Sequence, residues 1–269
     1  MADSLPPKLY KYQPYSIQTL DNLKNRVIWF AKPATFNDPF DSSIVYKAAE
    51  LTEDEWQALA ERYLLKHPED AKEFERLHML DGKPDEWFRN IVVAGAVSGM
   101  NGARKGNQER GIACFCEQPD DMLMWGHYAD GHRGLCLEFD TRCVIFKSAW
   151  KVHYSEKYPS MNIADAMIKG EIDALAMLTT KARQWEYEQE WRVLDLNGNK
   201  QVQIDAAALT GIYFGCAMAL EHKAIVAMIL RDLPTKLYEM QRSETEFIVR
   251  PRQLKFTPPK YAPNMPEFP

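Results

Sequence analysis

The 269-residue chain has no Gly-x-Gly-x-x-Gly turn, no P-loop, no Gly-x-Ser-x-Gly elbow and no His-Glu-x-x-His helix. These absences argue against doubly wound dehydrogenases, P-loop NTPases, α/β-hydrolases and zinc proteases of the zincin type. Cysteine is scarce. Cys114, Cys116, Cys136, Cys143 and Cys216 are odd in number and thinly spread, so no disulfide framework is expected and a reducing cytoplasm is the expected compartment. The segment Met1 to Lys8 has no basic stretch followed by an apolar one, so no secretory leader is expected. Long apolar runs are missing too. Ile91 to Met100 is too short to cross a bilayer, and Ile212 to Leu230 is interrupted by Glu221, His222 and Lys223.

Hydrophobic residues make up 46% of the chain and charged residues 26%, enough apolar surface to offset chain entropy, so a folded globular protein is expected. A formal charge of -5 argues against a uniformly basic nucleic-acid binder. The acidity is local. Residues 50–81 hold ten acids and four bases, which accounts for the whole excess. The remainder is close to neutral and does not disfavour an anionic ligand.

Lys8 to Tyr12 and Val27 to Phe30 read as strands, with a short helix over Ser16 to Lys24 between them. Thr52-x-x-Glu55 is a capping-box signature ahead of Trp56, Leu59, Tyr63 and Leu64 at helical spacing. Phe74, Leu77 and Leu80 mark a second helix, and Glu86 to about Val97 a third. Gly99, Gly102 and Gly106, with Arg104 and Lys105, then read as a flexible basic loop. Further strands are expected at Gly111 to Glu117, Gly134 to Phe139, Trp150 to Tyr154, Gly211 to Gly215 and Phe247 to Arg250. Helices are expected at Asp120 to Ala129, Ile163 to Arg183 and Leu220 to Arg231. Trp191 to Leu196 and Gln201 to Ile204 read as a hairpin turning at Asn197-Gly198-Asn199. This irregular interleaving predicts an α+β fold with a mixed, mostly antiparallel sheet core. Residues 8–250 form the single domain, about 47–108 a helical insertion, and 251–269 a Pro-rich extended tail.

Four clusters stand out: Leu9-Tyr10-Lys11-Tyr12; Phe36-Asn37-Asp38-Pro39-Phe40-Asp41; Met124-Trp125-Gly126-His127-Tyr128-Ala129 with His132-Arg133-Gly134; and Trp185 to Arg192. If Glu188 to Leu194 is extended, Glu188, Glu190 and Arg192 share one strand face. Two carboxylates so placed orient a hydroxyl and stabilise a developing cation; the plain alternative is a surface ion pair. Asn37, Asp38 and Asp41 either cradle a ligand or close a turn. His127 and His132 lack the i, i+4 spacing of a helical zinc pair, and Cys114-x-Cys116 has no second knuckle, so no metal site is expected. A cysteine nucleophile needs a base within hydrogen-bond reach, and the sequence alone does not show that His127 provides it. The aromatics Tyr10, Tyr12, Trp29, Trp125, Tyr128, Trp185 and Trp191 either stack on a nicotinamide or base, or belong to the core.

Taken in this order the clusters resemble an uncharacterised bacterial family called domain of unknown function 2971. The resemblance rests on Leu9 to Tyr12, Phe36 to Asp41, Cys114-Phe115, Met124 to Ala129 and Trp185 to Arg192. Gln13 stands where many members have Arg. The layout is also similar to ADP-ribosyltransferase-like domains, which open with a strand and short helix and carry a catalytic Glu on a late strand. Glu190, followed by Ile212-Tyr213-Phe214-Gly215, takes that position, with Glu188-x-Glu190 as the paired acids; Lys11 stands for the usual first-strand Arg or His. This second resemblance implies an ADP-ribosyltransferase-like enzyme or NAD glycohydrolase, a toxin or phage-defence effector, with NAD as substrate and a nucleic acid or protein as acceptor. Glu190 would be catalytic with Glu188 in support, and Tyr10, Lys11, Asn37, Asp38, His127 and Tyr128 would line the nucleotide pocket. The rival readings are a non-catalytic module sensing a nucleotide or phage component, and a metal-dependent nuclease using Asp38, Asp41, Glu188 and Glu190.

Overall fold

The computed structural model describes residues 4–47, 51–162 and 174–255. In chain order they form β1 (Lys8–Gln13), α1 (Ile17–Asn25), β2 (Val27–Phe30), β3 (Val45–Lys47), α2 (Glu53–Lys66), α3 (Ala71–His78), β4 (Met79–Leu80) and β5 (Lys83–Pro84). Then come α4 (Glu86–Gln108), β6 (Gly111–Cys116), α5 (Met122–Tyr128), β7 (Leu135–Asp140), β8 (Ala149–Lys151), β9 (His153–Ser155) and β10 (Ser160–Asn162). The rest are α6 (Ala174–Thr179), β11 (Thr180–Ala182), β12 (Glu190–Asp195), β13 (Lys200–Gln203), β14 (Leu209–Phe214), α7 (Leu220–Ile229), β15 (Lys236–Arg242) and β16 (Val249–Leu254). The chain divides into two compact units, one from Met1–Ala31, Gly111–Val152 and Gln184–Pro269, the other from Lys32–Arg110 and His153–Arg183.

The first unit is built on an eight-stranded sheet in the order β16-β15-β14-β7-β1-β6-β12-β8. All its pairs are antiparallel except β14 with β15, so the α+β, mostly antiparallel expectation holds. Side chains alternate across this sheet. Leu9, Phe115, Leu137, Phe139, Trp191, Val193, Ile212 and Phe214 fall on one face, where Leu23 of α1 and Val226, Ala227 and Leu230 at α7 cover them. Tyr12, Cys116, Cys136, Tyr213 and Met240 fall on the other, under Met124 and Trp125 of α5. Ser16 starts α1 by accepting from the Thr19 amide at 3.1 Å, and Arg26, at φ 56°, turns the chain straight into β2.

Three successive left-handed residues, Asp130, Gly131 and His132, return the chain from α5 to β7. The loop is clamped by amide bonds from His132 to the Trp125 carbonyl and from Ala217 to the His132 carbonyl. Gly215 permits that approach, since a Cβ there would overlap the His132 carbonyl.

In the second unit the Thr52 capping box forms as its sequence predicts, and Ala60, Phe74 and Phe88 make a small core. Its described strands form two-stranded sheets: β3 with β10 and β9 with β11 in parallel, β4 with β5 antiparallel.

Several expectations are corrected. The expected glycine loop is helix: α4 runs through Gly99, Gly102 and Gly106 to Gln108. Each glycine costs about 1 kcal/mol against alanine, but no proline interrupts, and burial of Met100 and Asn107 offsets the cost. The expected hairpin does not form, because both edges of β12 are occupied by β6 and β8 and β13 pairs with β2 instead. The expected strand at Trp150 to Tyr154 breaks at buried Val152 into β8 and β9, which pair with β12 and β11. The second expected helix stops at His78, leaving Leu80 in β4. Of the expected long helix, residues 163–173 lie outside the described residues; 174–179 is α6, followed by β11 and a 3-10 turn, Arg183–Glu188. The tail expected from 251 begins as strand: β16 carries Pro251, which a sheet edge tolerates, and 256–269 lie outside the described residues. Among the described residues no helix is long and apolar enough to cross a membrane.

Candidate functional site

The face of the large sheet beneath α5 is where buried charge collects. The register sets Glu138 opposite Tyr10, Tyr10 opposite Cys116, and Cys116 opposite Glu190. These four side chains therefore form one row across β7, β1, β6 and β12. With strands about 4.8 Å apart, the row is about 14 Å long and has a carboxylate at each end.

At the β12 end, Glu188, Glu190 and Arg192 are only 4%, 3% and 0% exposed. Arg192 donates to both oxygens of Glu190, from Nε at 2.8 Å and Nη2 at 3.2 Å. This two-pronged geometry suits a guanidinium and a carboxylate. The pair is interior, so the surface ion-pair alternative does not describe it. Glu188 is not in the strand as expected. It closes the 3-10 turn, and Gln189, at φ 44°, breaks the alternation before β12 starts. Glu188 accepts from the Tyr128 hydroxyl at 2.7 Å. Burying two carboxylates at neighbouring positions is costly unless each is hydrogen-bonded; here both are.

Beside them stands a group of rings. His127, on the exposed side of α5, lies 6.3 Å from Trp185 and 6.4 Å from Tyr187, and those two are 6.1 Å apart, centroid to centroid. Tyr128 and Glu188 thus meet next to a ring cluster supplied by α5 and the 3-10 turn. The thiols of this face are poor nucleophiles. Burial first, then the neighbouring Glu190 carboxylate, pushes Cys114 far above the ordinary thiol range, and burial does the same to Cys116. Both shifts disfavour the thiolate that cysteine catalysis requires.

At the β7 end, Glu138 is 2% exposed. It accepts from Lys8 Nζ at 2.6 Å, Thr210 Oγ1 at 2.7 Å, Tyr213 OH at 2.7 Å and Tyr10 OH at 3.4 Å. Burial alone would raise its pKa, but these bonds outweigh burial and hold it below the ordinary range. Burial and the Glu138 charge push the Tyr10 phenol up. Sequence reasoning passed over Glu138. Its signal is one acid inside the strand run Leu135-Cys136-Leu137-Glu138-Phe139.

The expected site residues thus separate. Tyr10, His127, Tyr128, Glu188 and Glu190 belong to this face or its cover. Lys11 does not: alternation puts it on the opposite face, lining a small cavity with Gln13, Asn22, Leu23 and Leu137, and its ammonium donates to the Cys114 carbonyl at 3.0 Å. Burial lowers its pKa. Asn37 and Asp38 lie in the second unit. There Asp38 Oδ1 accepts from the Phe40 amide at 2.9 Å and its carbonyl from the Asp41 amide, the turn-closing role. Asp38 also borders a cavity of about 460 Å³ with Asp41 and Arg104; Asn37 is exposed. Among the described residues, no group of three or more His, Cys, Asp or Glu side chains is placed to hold a metal ion.

Residues 124–193 match a family model described as "Protein of unknown function (DUF2971)". The matched segment runs from α5 into β12 and contains His127, Tyr128, Glu188 and Glu190. The clusters at Leu9 to Tyr12 and Phe36 to Asp41 lie before it. Comparison with curated proteins and with solved structures gave no match.

Proposed function

We propose that the protein is an NAD-cleaving enzyme of the ADP-ribosyltransferase or NAD glycohydrolase type, a reading argued from chemistry because the family model that residues 124–193 match carries no function. One observation carries the reading: two adjacent buried carboxylates, Glu188 and Glu190, are held by Tyr128 and Arg192 beside the His127, Trp185 and Tyr187 rings. Cleaving the glycosidic bond between nicotinamide and ribose develops positive charge on the ribose ring. A fixed carboxylate that hydrogen-bonds the 2′-hydroxyl favours that charge over the ground state. Glu190, locked in orientation by Arg192, takes this role. Glu188, locked by Tyr128, supports it, and the rings offer planar surfaces for stacking. Nicotinamide departs with the bonding electron pair, and water or an acceptor hydroxyl or amine then attacks the anomeric carbon and loses a proton. A bacterial toxin or phage-defence effector, acting on nucleic acid or protein, fits this chemistry. The ADP-ribosyltransferase-like fold is part of the same proposal, supported by the strand–helix–strand opening and the late-strand Glu. The metal-dependent nuclease alternative would need Asp38, Asp41, Glu188 and Glu190 to form a metal-holding group, and no such group is found among the described residues.

The test is incubation of the intact chain with NAD, following free nicotinamide by chromatography. Wild type releases nicotinamide, and Glu190→Gln, similar in shape but uncharged, releases it at least about a hundredfold more slowly while keeping its fold, in the range lost when one transition-state contact is removed. No release by wild type with DNA, RNA or protein present, or an unimpaired Glu190→Gln, overturns the proposal.

A further inference from the structure

Away from the sheet, the second unit holds a cavity of about 570 Å³, inside the size range of small-molecule sites. It is walled by the turn after Phe36, by the segment between β9 and β10, and by all three residues of β11. Two kinds of chemistry meet there. Phe40 and Tyr158 present exposed rings, and Lys157 and Lys181 line the cavity together with Ser160 and Thr180. Lys181 is only 7% exposed, a depth that lysine rarely reaches. One carboxylate, Glu156, also borders the cavity and is exposed to solvent.

We propose that this cavity binds a nucleoside 5′-phosphate unit, its base stacked on Phe40 or Tyr158 and its phosphate held by Lys157, Lys181, Ser160 and Thr180. Ammonium and hydroxyl donors are the groups that take up phosphate oxygens, and aromatic rings accept any base. Other ligand classes fit less well. A purely apolar ligand would leave the two lysines and the hydroxyls unused, a cation would meet two ammonium groups, and a bare phosphate would leave both exposed rings uncovered. The Asp38 cavity shares Ser43, Val45 and Tyr158 with this one, which gives a longer strand a continuation along the same wall. The inference stands on the second unit alone and does not depend on NAD cleavage.

The intact chain is titrated calorimetrically with AMP, adenosine and a single-stranded oligodeoxyadenylate. Wild type binds AMP at least about tenfold more tightly than adenosine, and the double variant Lys157→Ala/Phe40→Ala, altered only at exposed side chains, raises the AMP Kd about tenfold or more. Lys181→Met gives a second reading of the phosphate contact. Glu190→Gln keeps AMP binding, which separates this site from the sheet site. A tighter, steeply salt-dependent oligodeoxyadenylate complex identifies a nucleic-acid strand as the source of the unit, and weaker binding than AMP identifies a free nucleotide. Absence of AMP binding, equal affinity for adenosine, or an unchanged Kd in the folded double variant overturns the proposal.

Discussion

Replacing Glu138 with Ala removes the acceptor that joins β1, β7 and β14. Lys8, Thr210, Tyr213 and Tyr10 all donate to it. Lys8 is half exposed, so its ammonium rehydrates and counts for little. The Thr210 and Tyr213 hydroxyls, both at 2.7 Å, lose an interior charged acceptor, at about 1–3 kcal/mol each. The side-chain cavity adds to this, so Glu138→Ala should cost about 3–5 kcal/mol, the range for breaking a buried charged pair from one side. Glu138→Gln keeps volume and an acceptor oxygen and should cost about 1–2 kcal/mol. Urea unfolding at pH 7 followed by tryptophan fluorescence measures both. Because the folded pKa of Glu138 is depressed, its contribution is fully present above the unfolded value near 4.3 and fades as pH falls below that, through the folded value. The wild-type advantage over Glu138→Gln should therefore shrink in acid. A Glu138→Ala cost under about 1 kcal/mol with unchanged m, or equal costs for Ala and Gln, would refute the reasoning.

Three further outcomes are expected. Tyr128→Phe removes the 2.7 Å bond to Glu188, so it should cost about 1–2 kcal/mol and lower nicotinamide release about tenfold or more; a wild-type rate in the folded variant would end the positioning role of Tyr128. Gly99→Ala and Gly102→Ala, both exposed within α4 with no heavy atom within 4 Å of the added Cβ, should each raise stability by about 0.5–1 kcal/mol in urea titration. Gly215→Ala, which drives a Cβ into the His132 carbonyl, should cost about 2–3 kcal/mol, and a neutral result would disprove the tight approach of that loop.

What could be read from the sequence follows the range of the interactions involved. The apolar spacing that marks α1 and the Thr52 cap of α2 act within a few turns, so both helices were legible to within a residue at their starts. Strand pairing is non-local, and there the reading failed. Asn197-Gly198-Asn199 has every mark of a hairpin, yet β12 was already flanked on both sides, which only the assembled sheet reveals. β15 was missed because Lys236-Leu237-Tyr238-Glu239-Met240 interleaves charges with its apolar residues, while its place beside β14 buries Leu237 and Met240. At the site, Glu190 and Arg192 were legible as a same-face pair from alternation. Their burial was not, since it depends on covering groups far along the chain. Lys11 was misplaced for a simpler reason: it adjoins Tyr10 in sequence, but neighbours in a strand point to opposite faces.

The two faces of the large sheet differ in kind. One is mostly hydrocarbon, from Leu9 and Phe115 to Ile212 and Phe214, with the Lys11 ammonium set among it. The other sets Glu138, Glu190 and Arg192 among tyrosines and thiols. A well-packed apolar replacement for a buried ion pair is often neutral or stabilising, so stability alone gives no reason to keep the Glu190–Arg192 pair on that face. A reaction that develops charge does give one, because fixed charges in a dry setting act far more strongly than they would in water. The Lys11 placement then changes how the basic partner is assigned. An ADP-ribosyltransferase-like site expects a cation from the first strand near the catalytic acid. Here the guanidinium on the Glu190 face comes from Arg192, on the same strand as the acid, and the first strand contributes Tyr10. Glu190 is therefore oriented from within β12, and Lys11→Ala should leave nicotinamide release near wild type while Arg192→Lys, which cannot grip both oxygens in one plane, should not.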